Sequence, residues 1–341
     1  MGRVIAVANA KGGIGKTTTV VNIGAGLALK GARVLLVDVD PQGNLAMALG
    51  VHPRRTLYEV LVDGARPAEC VVAARPGLDL LAADAGLLGA QPVIARRPDW
   101  VRVLDLALRP LFDSYDFAIL DSGGSLTTLN TNALACASDV IVPTAVEHFS
   151  LKSIDLLFGQ VARVKGNSAS IRLIVPTLFD PRVRQSGELL EQLRARYGAL
   201  VAAPIRVNVR LSEAPTLGQT IYEYDPRSRG AVDYALLVER ISTMFGYRAA
   251  PHANGAPAAP AIEPAPALRS AAPRPPAPPV DPVPAPTPPD RPPATAAFGG
   301  APPACPNCGR PLQHATLAGY RVAYCENCKY KTQTLAQGSR R

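Results

Sequence analysis

Three short apolar runs recur along the first 120 residues of the chain, and each is followed by a polar segment. Residues 3–8, 34–37 and 117–120 are almost wholly apolar, as in strands that are buried on both faces of a sheet. Residues 17–30 instead carry apolar side chains at helical spacing. This alternation of strands and helices predicts an α/β fold with a mostly parallel sheet and helices on both faces.

The segment between the first predicted strand and the first helix reads A-K-G-G-I-G-K-T over residues 10–17. Glycines in such a loop let backbone N–H groups face phosphate oxygens, the lysine reaches the β- and γ-phosphates, and the hydroxyl ligates Mg²⁺. An additional lysine lies five residues before the usual one. The sequence therefore predicts a P-loop NTPase, and its candidate nucleotide-binding residues are Lys11, Gly12, Gly13, Ile14, Gly15, Lys16, Thr17 and Thr18.

Carboxylates follow two of the predicted strands. Asp38 and Asp40 come after the second strand, and Asp121 ends the third. Open α/β sheets bind ligands at the carboxyl ends of their strands, so these side chains are expected near the phosphates. Each aspartate alone could also cap a helix or begin a turn. Together with the P-loop they favour a magnesium site in which Asp121 is the Walker B carboxylate.

With these segments the chain resembles the ParA/MinD group of P-loop ATPases, and specifically the ParA (Soj-like) branch that partitions chromosomes and plasmids. The resemblance covers about residues 1–245. It rests on residues 11–18, 37–44, 115–121, 210–215 and 224–231. The last two segments are specific to the branch and are not general P-loop features.

The resemblance implies a slow ATPase that forms an ATP-dependent sandwich homodimer. In such a dimer Lys11 crosses to the nucleotide of the other subunit, while Lys16 and Thr17 bind phosphate and Mg²⁺ in their own. Asp40 helps to position the attacking water, and Asp40 and Asp121 complete the magnesium site. A ParB-type partner stimulates hydrolysis and releases the dimer from DNA. Catalysis of this kind depends on positioning and charge neutralisation.

Two segments depart from the family pattern. Asp121 is followed by S-G-G-S over residues 122–125, where the family usually has Cys-Pro-Pro-Ser. Glycine lacks the restraint of proline, so we expect hydrolysis or its stimulation to be altered. Residues 205–208 read I-R-V-N where the family commonly has Ile-Pro-Arg-Asn. This region contacts the adenine in relatives, which makes Asn208 the candidate adenine contact.

The formal net charge of +9 is unevenly distributed. Residues 304–341 contribute +5 and residues 251–303 contribute none, which leaves +4 for the predicted ATPase. Phosphate neutralisation by a basic patch would make DNA binding steeply salt-dependent, whereas solvated surface arginines are the alternative. The candidates lie in the half of the domain where ParA relatives bind DNA without sequence preference: Arg182, Arg184, Arg206, Arg210, Arg227 and Arg229.

The composition changes near residue 250. Residues 250–303 hold more than half of the 34 prolines and cannot bury a core. We predict a disordered, partly polyproline-II linker with a reach of about 150 Å at about 3.1 Å per residue. A ligand for proline-binding domains is the alternative. The ATPase domain is accordingly predicted over residues 1–249, since a chain of 341 residues that is 48% hydrophobic suffices for one sizeable core with further residues left over.

Four cysteines near the end of the chain form a C-x2-C-x16-C-x2-C pattern: Cys305, Cys308, Cys325 and Cys328. This spacing is typical of a zinc ribbon, in which four thiolates close a tetrahedral site. We predict the ribbon over residues 304–332 and a basic tail over residues 333–341. Redox-active dithiols, or iron in place of zinc, are alternatives, and His314 finds no vacant ligand position. Cys70 and Cys136 are predicted to be reduced and partly buried.

The favoured function is an ATP-dependent, nonspecific DNA-binding ATPase in chromosome or plasmid partitioning. One alternative is a positioning ATPase for a protein cargo, such as a chemoreceptor array or a microcompartment. Another is a slow nucleotide switch whose ribbon binds an unidentified ligand as the effector module. No signal peptide is recognised and no basic amphipathic helix ends the sequence, so we expect a cytoplasmic, nucleoid-associated protein that does not use a membrane.

Overall fold

The computed structural model describes residues 2–124, 127–147, 150–248, 304–317, 320–325, 327–328 and 331–335. The predicted linker over residues 250–303 lies outside the described residues, as do Ser125 and residues 336–341 of the predicted basic tail. The chain divides into two compact units, Met1–Ala261 and Ile262–Arg341.

The first unit alternates strands and helices along most of its length. Its strands are β1 Arg3–Val7, β2 Val34–Asp38, β3 Val71–Arg75, β4 Leu78–Leu81, β5 Phe117–Asp121, β6 Asp139–Ala145 and β7 Ile171–Thr177. Its helices are α1 Lys16–Leu29, α2 Asn44–Leu49, α3 Leu57–Leu61, α4 Leu87–Ala95, α5 Val103–Phe112, α6 Thr128–Cys136, α7 Ser150–Lys165, α8 Arg184–Tyr197, α9 Arg210–Glu213, α10 Ile221–Tyr224 and α11 Arg229–Met244.

These strands form one seven-stranded sheet in the order β3-β4-β2-β5-β1-β6-β7. Every neighbouring pair is parallel except β3 and β4, which are antiparallel. The predicted mostly parallel sheet is therefore confirmed. The first helix begins one residue earlier than predicted, because Gly15 adopts a left-handed conformation and serves as its N-cap.

Two separate apolar clusters pack against the sheet. Ala118 and Leu120 of β5 belong to one cluster, whereas Phe117 and Ile119 belong to the other. Because successive side chains of a strand point to opposite faces, this assignment means that helices cover both faces. The central strands β2 and β5 are buried along their full length, which explains their unbroken apolar sequence.

The second unit contains a three-stranded antiparallel sheet in the order β10-β9-β8. Its strands are β8 Gln313–Leu317, β9 Tyr320–Tyr324 and β10 Lys331–Leu335, and β10 runs past residue 332, the predicted end of the ribbon. Among its described side chains, the buried ones are Cys305, Leu312, Ala323 and Cys325. The side chains of His314, Tyr320 and Tyr324 lie outside the described residues, as does Tyr330 altogether.

Candidate nucleotide and metal sites

The loops that carry the predicted chemistry meet at one edge of the sheet. Strands β1 and β2 flank β5 and run parallel to it, with Val7 and Asp38 both in register with Asp121. The segments that follow these three strands therefore emerge side by side at their carboxyl ends. This edge is the expected ligand-binding position in an open α/β sheet.

The P-loop, residues 10–17, presents backbone toward open space. Gly13 and Gly15 have φ values of +71° and +83°, a conformation that favours glycine. A Cβ built on Gly12, Gly13 or Gly15 would meet no atom within 4 Å. Helix α1 has no side-chain cap at its N-terminus, so its first N–H groups can bind an anion. From the other side, the Thr177 hydroxyl donates to the Ile14 carbonyl at 2.8 Å and fixes the loop.

The two lysines of the P-loop occupy different environments. Lys16 is buried, and its Nζ donates to the Lys11 carbonyl at 2.7 Å. Burial lowers the pKa of Lys16, while the carboxylates of Asp121 and Asp40 oppose that change. The Lys11 side chain instead forms an ion pair with Glu147, beyond the end of β6. Lys16 thus faces the interior of the site, and Lys11 lies at its margin.

The three aspartates also differ from one another. Asp38 accepts hydrogen bonds from the backbone N–H groups of Asp40 and Leu45, both at 3.0 Å, so it holds the turn after β2. Burial raises the pKa of Asp38 to about 7. Asp40 lies at the wall of the cavity beside Gly12. Of these two carboxylates, Asp40 is therefore the one that lines the cavity.

Asp121 is buried, and neither of its carboxylate oxygens has a hydrogen-bond partner within the described residues. Burial, followed by repulsion from Asp38, raises the pKa of Asp121 well above its usual range, while the facing Thr17 side chain and Lys16 ammonium oppose the rise. A buried carboxylate without a partner is costly unless a cation balances it. The Thr17 hydroxyl and these carboxylate oxygens are hard oxygen donors, which suit Mg²⁺.

A cavity of about 900 Å³ lies between the P-loop, the turn after β2 and the loop after β5. Its walls include the three P-loop glycines, Thr17 and Thr18, the Asp40 side chain, and residues 122–124. A smaller cavity of about 170 Å³ adjoins Gly15 and Thr18 and includes Asn208 in its wall. The Asn208 side-chain oxygen accepts the Arg210 N–H at 2.9 Å. The predicted adenine contact thus lies beside the P-loop, and its side-chain oxygen stabilises the turn into α9.

Several residues that position this site carried no recognisable sequence signal. Thr177 ends β7 and Glu147 follows β6, so both lie far along the chain and approach the P-loop only after folding. Asn9 donates to the Pro143 carbonyl at 2.7 Å and accepts the Lys11 N–H at 3.2 Å. Asn130 on α6 bonds the backbone of Gly123. Single polar residues in apolar segments have many structural explanations, so sequence alone did not single these out.

The candidate DNA-binding arginines are not equivalent. Arg206 forms a forked ion pair with the buried Asp233, with its closest contact at 2.6 Å. Arg182 and Arg184 pair with neighbouring carboxylates on the surface, and Arg210 pairs with Glu213 at 2.8 Å.

Arg227 and Arg229 lie at the start of α11, and both are exposed. Within the described residues, neither guanidinium has a recorded ion pair. Arg206 is therefore the most constrained of the six arginines, and these two are the most available to an anionic partner.

The four predicted metal-ligating cysteines come together in the second unit. Their Sγ atoms all lie within 4.8 Å of one another. Cys305 and Cys328 are 3.4 Å apart, as are Cys308 and Cys325. No disulfide joins any of them, and Gly309 has a φ of +71° in the turn after the first pair. Four convergent thiols suit a tetrahedral Zn²⁺ site. In the first unit, Cys70 and Cys136 form no disulfide, as predicted, and both are buried rather than partly buried.

Comparisons with known proteins support the assignment of this edge. A family model described as AAA domain matches residues 2–173. The chromosome-partitioning ATPase Soj of Thermus thermophilus is 42% identical over 243 residues, which cover 70% of this chain and 95% of that protein. The sporulation initiation inhibitor protein Soj of Bacillus subtilis is 38% identical, with 71% and 99% covered.

A solved structure with the same fold contains a nucleotide. Cobyrinic acid a,c-diamide synthase from Mycobacterium smegmatis, with bound ATP analog and magnesium, is 32% identical. The match covers 74% of this chain and 99% of that chain, with a TM-score of 0.62. Within the described part of this chain, no helix is both long and apolar enough to cross a bilayer.

Proposed function

Because the chain belongs to the ParA/MinD family of P-loop ATPases, we propose that it dimerises on ATP and then binds DNA without sequence preference to partition a chromosome or plasmid. Members of this family are ATPases. The observation that carries the proposal is that Lys16 and Asp40 line one cavity, with Asp121 buried close to both, in a chain 42% identical to a chromosome-partitioning ATPase.

Residues 11–18 would hold the phosphates of ATP, with Lys16 neutralising their charge. Thr17 and Asp121 would hold Mg²⁺, with Asp40 beside them. The bound ion would offset negative charge on the β- and γ-phosphates. Asp40, at the wall of the same cavity, would orient the attacking water. Lys16 and Asp40 would contribute mainly by positioning and electrostatic stabilisation, because phosphoryl transfer leaves little covalent chemistry to the protein.

Lys11 would complete the site of a second copy of this chain. Its side chain pairs with Glu147 at the margin of its own cavity, whereas Lys16 occupies the interior. A lysine at the margin can reach across a subunit interface, which supports the role implied by the resemblance. The active site would then be complete only in the ATP-bound dimer, and turnover would be slow until a ParB-type partner stimulates it.

DNA contact would come from the arginine surface around the start of α11. Arg227 and Arg229 are the strongest candidates because both are exposed and, among the described residues, neither guanidinium takes part in an ion pair. Three further arginines would leave a surface carboxylate and pair with a DNA phosphate instead: Arg182, Arg184 and Arg210. Exposed ion pairs of this kind contribute little stability, so breaking them would cost little free energy. Arg206 would mainly support the fold through Asp233. In the cell this surface would associate the dimer with the nucleoid.

The test is binding of the full-length protein to a random-sequence DNA duplex without nucleotide, with ADP, and with ATP. Asp40→Ala holds the ATP-bound state by blocking turnover. We expect binding with ATP alone, weakening steeply as salt rises. Arg227→Ala and Arg229→Ala should weaken it, whereas Arg163→Ala, an exposed arginine on α7, is the matched control.

Other outcomes would change the proposal in defined ways. DNA binding that does not depend on the nucleotide and that is lost when residues 304–341 are removed would assign the DNA contact to the second unit. Absence of DNA binding in all three states would contradict the partitioning role and favour the nucleotide switch. ATP-dependent DNA binding without any effect of a ParB-type protein would favour a protein cargo.

A further inference from the structure

We infer that Asn22, on α1, is the positioning residue that couples the nucleotide site to the arginine surface at the start of α11. Its side-chain amide joins the first turn of α1, which follows the P-loop, to the first turn of α10, which leads to those arginines. The inference rests on the proposed ATP-dependent DNA binding. It deepens that function by identifying the contact through which bound ATP would act on the DNA-binding surface.

The Asn22 side chain is buried and uses both ends of its amide. Its Nδ2 donates to the Thr18 carbonyl at 2.8 Å, one turn earlier on α1. Its Oδ1 accepts the N–H of Ile221, the first residue of α10, at 3.0 Å. Thr18 lies in the walls of both cavities at the P-loop. One buried side chain therefore bonds the backbone of the phosphate-binding turn and the backbone of α10.

Helix α11 is tied to the same turn of α1. The hydroxyl oxygens of Tyr234 on α11 and Thr19 on α1 lie 3.1 Å apart, and both residues are buried. Farther along α1, a Cβ built on Gly26 would be 2.6 Å from Cγ2 of Val238 on α11 and 2.8 Å from the Tyr222 hydroxyl on α10. Helix α1 thus packs directly against both helices, and so closely packed an interior transmits a displacement.

On its other side α10 is held by Arg75, at the end of β3. The Arg75 Nε donates to Glu223 on α10 at 2.5 Å, and its Nη2 donates to the Gly218 carbonyl at 2.6 Å. Its Nη1 donates to the carbonyl of Leu49, at the end of α2, at 3.2 Å. The start of α10 is therefore fixed both to α1, which follows the P-loop, and to α2, which follows the Asp40 turn.

The arginine surface begins directly after α10. The Asp225 side chain accepts the Arg227 N–H at 3.3 Å, and the Asp225 carbonyl accepts the Ser228 N–H at 3.0 Å. The Ser228 hydroxyl then caps α11 by accepting the Ala231 N–H at 3.1 Å, with Arg229 in the first turn of that helix. The backbone of both arginines is therefore positioned by the end of α10.

ATP can change the affinity for DNA only through a difference in free energy between the states that the two ligands favour. Phosphate bound at the first turn of α1 would fix that turn, and Asn22 would transfer the constraint to α10 and so to the arginines. By linkage, DNA would then raise the affinity for ATP by the same factor as ATP raises the affinity for DNA. Removal of the Asn22 side chain would reduce both effects and leave the contacts at each site intact.

The experiment compares Asn22→Ala with Asn132→Ala, each in Asp40→Ala protein so that ATP is not consumed. Asn132 is the matched control because it is buried on α6 and donates to the Thr128 carbonyl at 3.0 Å, one turn earlier on its own helix. Its Oδ1 accepts the N–H of Leu104, near the start of α5, at 3.1 Å. It thus makes the corresponding bonds on the opposite face of the sheet.

The measured quantity is the dissociation constant for a random-sequence DNA duplex with ADP, divided by that with ATP. Asn22→Ala should lower this ratio by about tenfold, as expected for the loss of a buried hydrogen bond that carries the coupling. It should lower the effect of DNA on ATP affinity by the same factor. ATP affinity without DNA and ATP-dependent dimerisation should stay within about twofold, as for independent sites.

Two further measurements keep the result interpretable. Asn132→Ala should leave the ratio unchanged even if it lowers the thermal unfolding temperature as much as Asn22→Ala does. Arg75→Met removes the bonds that hold α10 from the other side, so it should also lower the ratio. This variant carries the test if Asn22→Ala fails to fold.

An unchanged ratio in folded Asn22→Ala protein would overturn the inference. An equal loss in Asn132→Ala protein would also overturn it, as would a loss of ATP affinity or of dimerisation that accounts for the weaker DNA binding. If Asn22→Ala does not fold, an unchanged ratio in Arg75→Met protein would have the same meaning. Failure of the proposed function is a separate result, in which the parent Asp40→Ala protein itself shows no effect of ATP on DNA binding.

Discussion

The two units of this protein are stabilised in different ways. The first packs two apolar clusters against opposite faces of a seven-stranded sheet, and many fully buried side chains contribute to its stability. Among the described side chains of the second unit, the buried ones are two cysteines, one leucine and one alanine. A segment this short buries little apolar area, and its four thiols converge as they would in a structural zinc site. We therefore expect the first unit to be stabilised by its core and the second to depend on a metal bound by its four cysteines.

The largest effect should follow removal of metal from the second unit. Chelation of zinc should abolish its folded structure, because the metal supplies most of the folding free energy of so small a segment. Circular dichroism of residues 304–341 and metal analysis would measure this, with about one zinc per chain expected. Cys308→Ser should have a similar effect, whereas Cys136→Ala in the first unit should leave the zinc content unchanged. A metal-free segment that retained its three strands would contradict this account.

The next effects concern the nucleotide site of the first unit. Lys16→Ala should abolish measurable ATP binding, since it removes the buried cation that faces Asp121 and Asp40. The Lys11→Ala protein should bind ATP but fail to form the ATP-dependent dimer. The Lys11 side chain lies at the margin of its own cavity, from which it would reach the nucleotide of the second subunit. Nucleotide titration and light scattering would separate the two. A Lys11→Ala protein that dimerised and hydrolysed ATP normally would exclude a site shared between subunits.

Core substitutions should produce a smaller and graded loss. Ile119→Ala removes a fully buried side chain from the central strand β5 and should lower the free energy of unfolding of the first unit by about 2–5 kcal/mol. Leu29→Ala, at a position that is 73% exposed, should change it by less than about 0.5 kcal/mol. Denaturant unfolding would measure both. Equal effects at the two positions would contradict a stability that depends on burial.

The smallest effect should come from cutting the chain between the two units. Ending it after residue 250 should leave ATP-dependent dimerisation within about twofold of the full-length value, because every residue that lines the candidate nucleotide site in the described part of the chain precedes that point. Size measurement with and without ATP would test this. If the shortened protein failed to bind ATP, the two regions would not be independent.

Much of this architecture was predictable because its signals are local. Apolar runs identified β1, β2 and β5, and glycine spacing identified the P-loop between β1 and α1. The spacing of the four cysteines predicted their convergence, which the structure confirms. The edge strand β3 and the short helices α9 and α10 were not predicted. Such short elements depend on their neighbours more than on their own sequence.

The sequence by itself determined the chemistry available to the protein: a phosphate-binding loop, carboxylates after buried strands, and a cysteine pattern. Only the tertiary structure showed the physical difference between the two carboxylates that follow the second apolar run: Asp38 accepts two backbone hydrogen bonds, whereas Asp40, the residue that the resemblance had implied, lines the cavity. It also placed Glu147 beside Lys11 and Asn130 against Gly123. Such roles depend on the distances between side chains across the sheet. The order of the parallel strands sets those distances, whereas the spacing of residues along the chain does not.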